Sequence, residues 1–190
     1  MSSTGKSTLA RHLSSLLKLP VCSAGMRDVY KRRQDAGRTD PIFSELPIDL
    51  KVVFQIEAIE KRLKQEADTM SFIADGTPID FLAFWIEWTT QYDIFSRCAG
   101  LSSHSLAKDL EESIGTYDVI FRLPYGVIPT EDDNRRIINQ RFLRKMSLIM
   151  DGLAFQHAGH TKFVNILSTE VPRRIDEVMM KLADMGFVNH

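Results

Sequence analysis

Apolar positions begin at helical spacing almost at once: Leu9, Leu13, Leu16 and Leu17 fall on one face of a helix that opens near residue 6. A short apolar run, Leu19-Pro20-Val21-Cys22-Ser23-Ala24, follows and ends in small residues. Residues 26–38 are basic and read as helical up to Gly37. A longer helical pattern over residues 47–67 places Leu50, Val53, Phe54, Ile56, Ile59 and Leu63 on its buried side. Ser71-Phe72-Ile73-Ala74-Asp75-Gly76 reads as a buried strand whose last residues turn out at the sheet edge. Residues 80–95 form an aromatic helix with Phe81, Phe84, Trp85, Trp88 and Tyr92. Residues 117–124 and 162–167 read as further strands, and a closing helix runs over residues 172–185. No repeat and no Gly/Ser linker divides the chain, so residues 1–190 are expected to form a single domain.

Strands separated by helices imply right-handed βαβ crossovers. Near-continuous apolar strands imply a sheet covered on both faces. The expected fold class is therefore α/β, a parallel β-sheet sandwiched by helices. Ligands of such sheets bind beyond the carboxyl ends of the strands, so polar residues at those ends carry the chemistry.

Composition narrows the function classes. The 190 residues are 44% apolar and 26% charged, as in a folded soluble domain. Lys and Arg number 24 against 25 Asp and Glu, a net charge of -1, which argues against a body that wraps duplex nucleic acid. Cys22 and Cys98 are too few for a disulfide framework and fit a reducing, cytoplasmic compartment. No apolar stretch approaches the ~18 residues of a membrane span, and no secretory signal is visible.

Gly5-Lys6-Ser7 matches the second half of the phosphate-binding loop G-x-x-x-x-G-K-[ST], with a helix pattern directly behind it. Amides of the run Ser3-Thr4-Gly5-Lys6-Ser7-Thr8 would wrap phosphate oxygens, Lys6 would reach the terminal ones, and the Ser7 hydroxyl would ligate Mg²⁺. The first glycine of the motif would fall one place before Met1, and the strand that normally feeds the loop is missing. The bland alternative is a chance match. Asp75 ends a strand, where it either holds Mg²⁺ and accepts the proton of an attacking hydroxyl or only caps a turn. Asp80 opens the aromatic helix as an N-cap, or as a cap that also binds an acceptor hydroxyl.

Arg135 and Arg136, followed by Arg141 and Arg144, either close over transferring phosphates or form a solvated, salt-bridged helix. Arg27 and its neighbours either line an anionic acceptor or form an exposed basic face. Trp85, Trp88 and Tyr92 read as core. Cys22 reads as a small packed hydrophobe. His157 and His160 read as surface residues, without partners at metal-ligand spacing.

The order of these pieces resembles the small P-loop kinases that act on nucleosides and nucleotides, above all those similar to nicotinamide-riboside kinases. The carrying segments are Ser2-Ser3-Thr4-Gly5-Lys6-Ser7-Thr8-Leu9-Ala10, Phe72-Ile73-Ala74-Asp75-Gly76-Thr77-Pro78-Ile79-Asp80 and Asp132-Asp133-Asn134-Arg135-Arg136. The resemblance implies a P-loop kinase strand order and an Arg-rich lid over residues 125–146. It implies ATP and Mg²⁺ at Lys6 and Ser7, Asp75 on the acceptor side as base or metal-linked residue, and Arg135 and Arg136 in the lid. Arg173, in the loop 168–173, would lie near adenine. The chain has Gly76 where many relatives carry Arg. The family's sheet order, 2-3-1-4-5, centres on a first strand with no counterpart here. It implies two inner strands facing a gap, natural sequence upstream of Met1, and a gain in stability from an added upstream strand.

The leading expectation is an enzyme moving the γ-phosphoryl group of ATP to a hydroxyl of a nucleoside or nucleotide. A kinase acting on a hydroxymethylated pyrimidine in DNA changes only the acceptor, with the strip from Arg27 to Arg38 tracking a strand. A nucleotide-binding regulatory or interaction module would bind ATP without transferring phosphate to an acceptor.

Overall fold

The computed structural model describes residues 5–23, 25–37, 46–91, 103–123, 140–159 and 161–188. Seven helices and four short strands alternate through them. They are α1 (Lys6–Leu17), β1 (Val21–Cys22), α2 (Met26–Asp35), α3 (Ile48–Ala67), β2 (Ile73–Ala74), α4 (Pro78–Gln91), α5 (Ser103–Ile114), β3 (Val119–Arg122), α6 (Gln140–Gln156), β4 (Lys162–Asn165) and α7 (Val171–Asp184). The α/β class holds. All observed pairing is parallel, as two two-stranded sheets: β1 with β2 (Val21 opposite Ile73) and β3 with β4 (Val119 opposite Lys162). A five-strand order is not observed, and among the described residues no strand joins β2 to β3.

Alternation of side chains puts the two pairs into one layer. Ile73, Val119, Phe121 and Val164 pack into an apolar cluster with Leu9 and Leu13 of α1 and Val178 and Leu182 of α7. Phe72, Ala74, Ile120 and Phe163 pack into a second cluster with Phe54 and Ile59 of α3, Leu82 of α4, Leu110 of α5 and Met146 of α6. With a side-chain period of two, consecutive strand residues must face opposite helical layers. Helices α1 and α7 therefore cover one face, and the remaining helices build the other. Lys145 of α6 reaches the buried carboxylate of Glu87 on α4 at 2.6 Å, tying two helices of that second face.

Two expected faces are met in part. On α3 the buried residues are Val52, Phe54, Gln55, Ala58, Ile59 and Arg62, so Phe54 and Ile59 are buried as expected whereas Val53 is 39% exposed. Gln55 donates to the Phe81 carbonyl at 2.7 Å, which satisfies a polar residue within an otherwise apolar face. On α1, Leu16 points to solvent because Leu9, Ala10 and Leu13 fill the contact with the sheet. Trp85, Trp88 and Cys22 are buried as expected, whereas Tyr92, Cys98 and His160 lie outside the described residues. No helix among the described residues is long and apolar enough to cross a membrane.

Candidate phosphate-binding site

The site is built where α1 starts beside the carboxyl end of β2. Gly5 holds φ 74°, ψ 15°, the left-handed conformation that a residue with a side chain adopts only under strain. Among the described residues no side chain caps α1, and Leu9 N–H already bonds to the Gly5 carbonyl at 2.9 Å. The amides of Lys6, Ser7 and Thr8 belong to the first turn, which the helix itself does not pair, at the positive end of the helix dipole. An anion is the natural complement of that geometry.

Lys6 Nζ donates to Asp80 Oδ1 at 2.8 Å, 74 residues away in the chain. The other Asp80 oxygen accepts from the Thr77 amide at 2.9 Å and from the Thr77 hydroxyl at 3.3 Å. Asp80 is therefore not the N-cap itself. It lies in the first turn of α4 and satisfies the amide of Thr77, the carboxylate half of a capping box. Burial alone would raise the Asp80 carboxyl, but the Lys6 ammonium outweighs it and holds the carboxyl well below the usual range. For Lys6, burial pulls down while Asp80, and more weakly Asp75, pull up; the net direction is up. The pair is ionised on both sides through neutral pH.

Asp75 follows β2, its amide donating to the Cys22 carbonyl at 2.9 Å, and adds negative charge near Lys6. Gly76 then turns the chain at φ 87°, and its carbonyl accepts from Arg62 Nη2 at 2.7 Å. Arg62 is buried, also bonds to the Glu66 carboxylate, and Glu66 accepts from the Tyr117 hydroxyl. A buried network thus fixes the turn that carries Asp75 and Asp80.

Sequence reading passed over Arg174. Its Nη1 would stand 3.3 Å from a Cβ placed on Gly5, and its Nε donates to the Ser168 carbonyl at 2.7 Å. The available signal was periodicity: Arg174, Val178 and Leu182 share the buried line of α7, and an arginine in such a line has a reason to be inside. Its neighbour Arg173, expected near adenine, is 77% exposed and pairs with Glu170 at 3.7 Å. Arg141 and Arg144 are exposed on α6. Arg32 and Arg33 of the basic strip face Glu57, at 3.2 and 3.9 Å, and Arg33 also lies over the Phe54 ring. Ser3, Thr4, Arg135 and Arg136 lie outside the described residues, as does most of the expected lid segment and the side chain of Arg27.

Among the described residues no group of three or more His, Cys, Asp or Glu is arranged to hold a metal ion. Ser7 in the first turn of α1 and Asp75 and Asp80 on the turn after β2 are nonetheless hard oxygen donors, both Asp80 oxygens being engaged by Lys6 and Thr77. That sparse set suits Mg²⁺, which keeps most of its shell as water and substrate phosphate. No protein-family model, curated protein or solved structure matches the chain.

Proposed function

We propose that the protein is a P-loop-type kinase that moves the γ-phosphoryl group of ATP to a hydroxyl of a nucleoside or nucleotide. The supporting observation is the junction of Gly5, the uncapped start of α1 and Lys6 with the Asp75-to-Asp80 turn at the end of β2. In this reading the amides of residues 5–8 and Lys6 hold polyphosphate oxygens, while Arg174 adds positive charge behind Gly5. Asp75 accepts the proton of the acceptor hydroxyl, and Asp80 releases Lys6 to the phosphates and keeps the turn closed through Thr77. Mg²⁺, when bound with ATP, supplies further neutralisation of phosphate charge, with the Ser7 hydroxyl as its protein ligand. The DNA-directed reading draws less support, because Arg32 and Arg33 are engaged with Glu57.

Radiolabelled ATP offered with a panel of nucleosides, nucleotides and hydroxymethylated oligonucleotides tests the assignment. Labelled product with a free nucleoside or nucleotide, abolished by Lys6→Ala, is the expected result. ATP binding that survives Lys6→Ala unaltered would remove the phosphate-loop assignment. Binding that Lys6→Ala abolishes, without transfer to any acceptor, would instead leave a nucleotide-binding module.

A further inference from the structure

Lys6 and Asp80 stand in the first turns of two different helices, α1 and α4, and meet at 2.8 Å. Their side chains are 29% and 22% exposed, so the contact is shielded from water more than an ordinary surface ion pair. The carboxylate is also held in place independently of Lys6. Its second oxygen accepts from the Thr77 amide at 2.9 Å and from the Thr77 hydroxyl at 3.3 Å. Thr77 follows Gly76, whose carbonyl is fixed by Arg62 at 2.7 Å. Lys6, by contrast, carries its ammonium on a flexible four-carbon stem. When the contact breaks, the ammonium moves and the carboxylate stays. Asp80 thus presents to Lys6 what a bound phosphate would present: an anionic oxygen at hydrogen-bond distance, beside the amino end of a helix. Asp75 does not share this arrangement, since it acts on Lys6 through its charge alone.

We propose that Asp80 is a built-in competitor for Lys6, one that lowers the affinity of the site for every anion and thereby keeps inorganic phosphate and sulfate out of it. The inference rests on the phosphate-loop reading of Lys6, but not on phosphoryl transfer. Each anion that uses Lys6 must first take it from Asp80. That requirement costs all of them the same factor in affinity, as any resting state that hides a binding group does. A uniform factor has unequal consequences. A single phosphate or sulfate exchanges one oxygen anion on Lys6 for another, gains little, and drops out of the millimolar range in which it would occupy the site. A chain of phosphates reaches Lys6 with one group and the first-turn amides of α1 with another, so enough affinity survives the loss. Because Thr77 retains Asp80, the competitor stays beside the site and retakes Lys6 when the ligand leaves.

Calorimetric titration with inorganic tripolyphosphate and with inorganic phosphate tests this without any acceptor. Asp80→Asn, which keeps an acceptor for the Thr77 amide, should tighten tripolyphosphate by about tenfold or more. Millimolar inorganic phosphate should register on that variant and not on the wild type. Asp75→Asn should change tripolyphosphate affinity by less than about threefold, because its charge acts at a distance and is screened. In a Lys6→Met background, Asp80→Asn should likewise gain less than about threefold, which ties the effect to the pair. The wild type carries a second readout that needs no variant: tripolyphosphate should shift the carboxyl-carbon resonance of Asp80 while the Thr77 amide keeps its exchange protection. An unshifted Asp80 carboxyl, or an Asp80→Asn chain that binds tripolyphosphate no tighter than wild type, would overturn the proposal. Wild-type binding lost in Lys6→Met would then still support the phosphate loop. Tighter binding by Asp80→Asn, with no transfer to any acceptor, would uphold the proposal and remove the kinase reading. Absence of tripolyphosphate binding in every variant would overturn both.

Discussion

Lys6 and Asp80 make the stability of the α1 end depend on pH with a definite sign. The Asp80 carboxyl is depressed in the folded state, so its contribution is complete above the ordinary value of about 3.9 and is lost as pH falls through the folded value. The Lys6 ammonium is raised, so its contribution is complete below about 10.4 and is lost as pH rises through the folded value. Asp80→Asn removes the charge yet keeps an acceptor for the Thr77 amide. Urea unfolding should show the wild type ahead of this variant at pH 7, with the gap narrowing at about pH 3; an equal gap at both would mean that Asp80 ionisation contributes nothing. Arg62 makes a second residue-scale prediction. Arg62→Met leaves the nearly buried Glu66 carboxylate without its cation and the Gly76 carbonyl without its donor, which should cost about 3–5 kcal/mol. Tyr117→Phe removes one hydrogen bond to the same carboxylate and should cost about 1 kcal/mol. Burial, with the Glu66 charge, pushes the Tyr117 hydroxyl up despite Arg62, so it remains a donor across the working pH range. If Arg62→Met unfolds within about 1 kcal/mol of wild type, the network does not hold the turn.

At the level of elements, two glycines separate a conformational requirement from a tolerated gap. Gly5→Ala meets both a left-handed φ of 74° and the Arg174 guanidinium at 3.3 Å, and should destabilise by about 1–2 kcal/mol while weakening ATP binding. Gly152, inside α6 with nothing within 4 Å of an added Cβ, should instead gain about 0.5–1 kcal/mol as alanine. Thermal unfolding of the pair checks both signs in one experiment. The same local chemistry explains what the sequence made legible. α3, α4 and α7 were readable because their apolar residues repeat over several turns, and each of the four strands lies inside an expected apolar run. The runs are longer than the ladders: β2 is only Ile73–Ala74 within residues 71–76. α5 and α6 were not anticipated as core helices: the stripe of α5 is the single line Leu106, Leu110 and Ile114 among Lys108, Asp109, Glu111 and Glu112, and the start of α6 was read only for its arginines. Gly5, Lys6, Asp75 and Asp80 could be picked out one by one, since turn and loop chemistry is local. Their meeting, the inward turn of Arg174 and the link from Tyr117 to Glu66 depend on pairings across 51 to 74 residues, or on helix packing, that no window of sequence displays.

For the whole molecule, the decisive feature is that both half-sheets feed both core clusters. Ala74 of β2 and Ile120 of β3 share the larger cluster, while Ile73 and Phe121 share the one beneath α1 and α7. Separation of β1–β2 from β3–β4 would therefore expose both clusters at once, so the absence of a ladder between them among the described residues does not divide the fold into independent units. Native-state hydrogen exchange across a urea series should give the Ile73 and Asp75 amides the same limiting opening free energy as the Ile166 amide. Leu13→Ala, which opens the smaller cluster at 6% exposure, should lower all three together by about 2–5 kcal/mol. If the Ile166 amide kept its protection while Ile73 and Asp75 lost theirs, the half-sheets would be separate cooperative units, and the turn bearing Asp75 and Asp80 would open without disturbing β3 and β4.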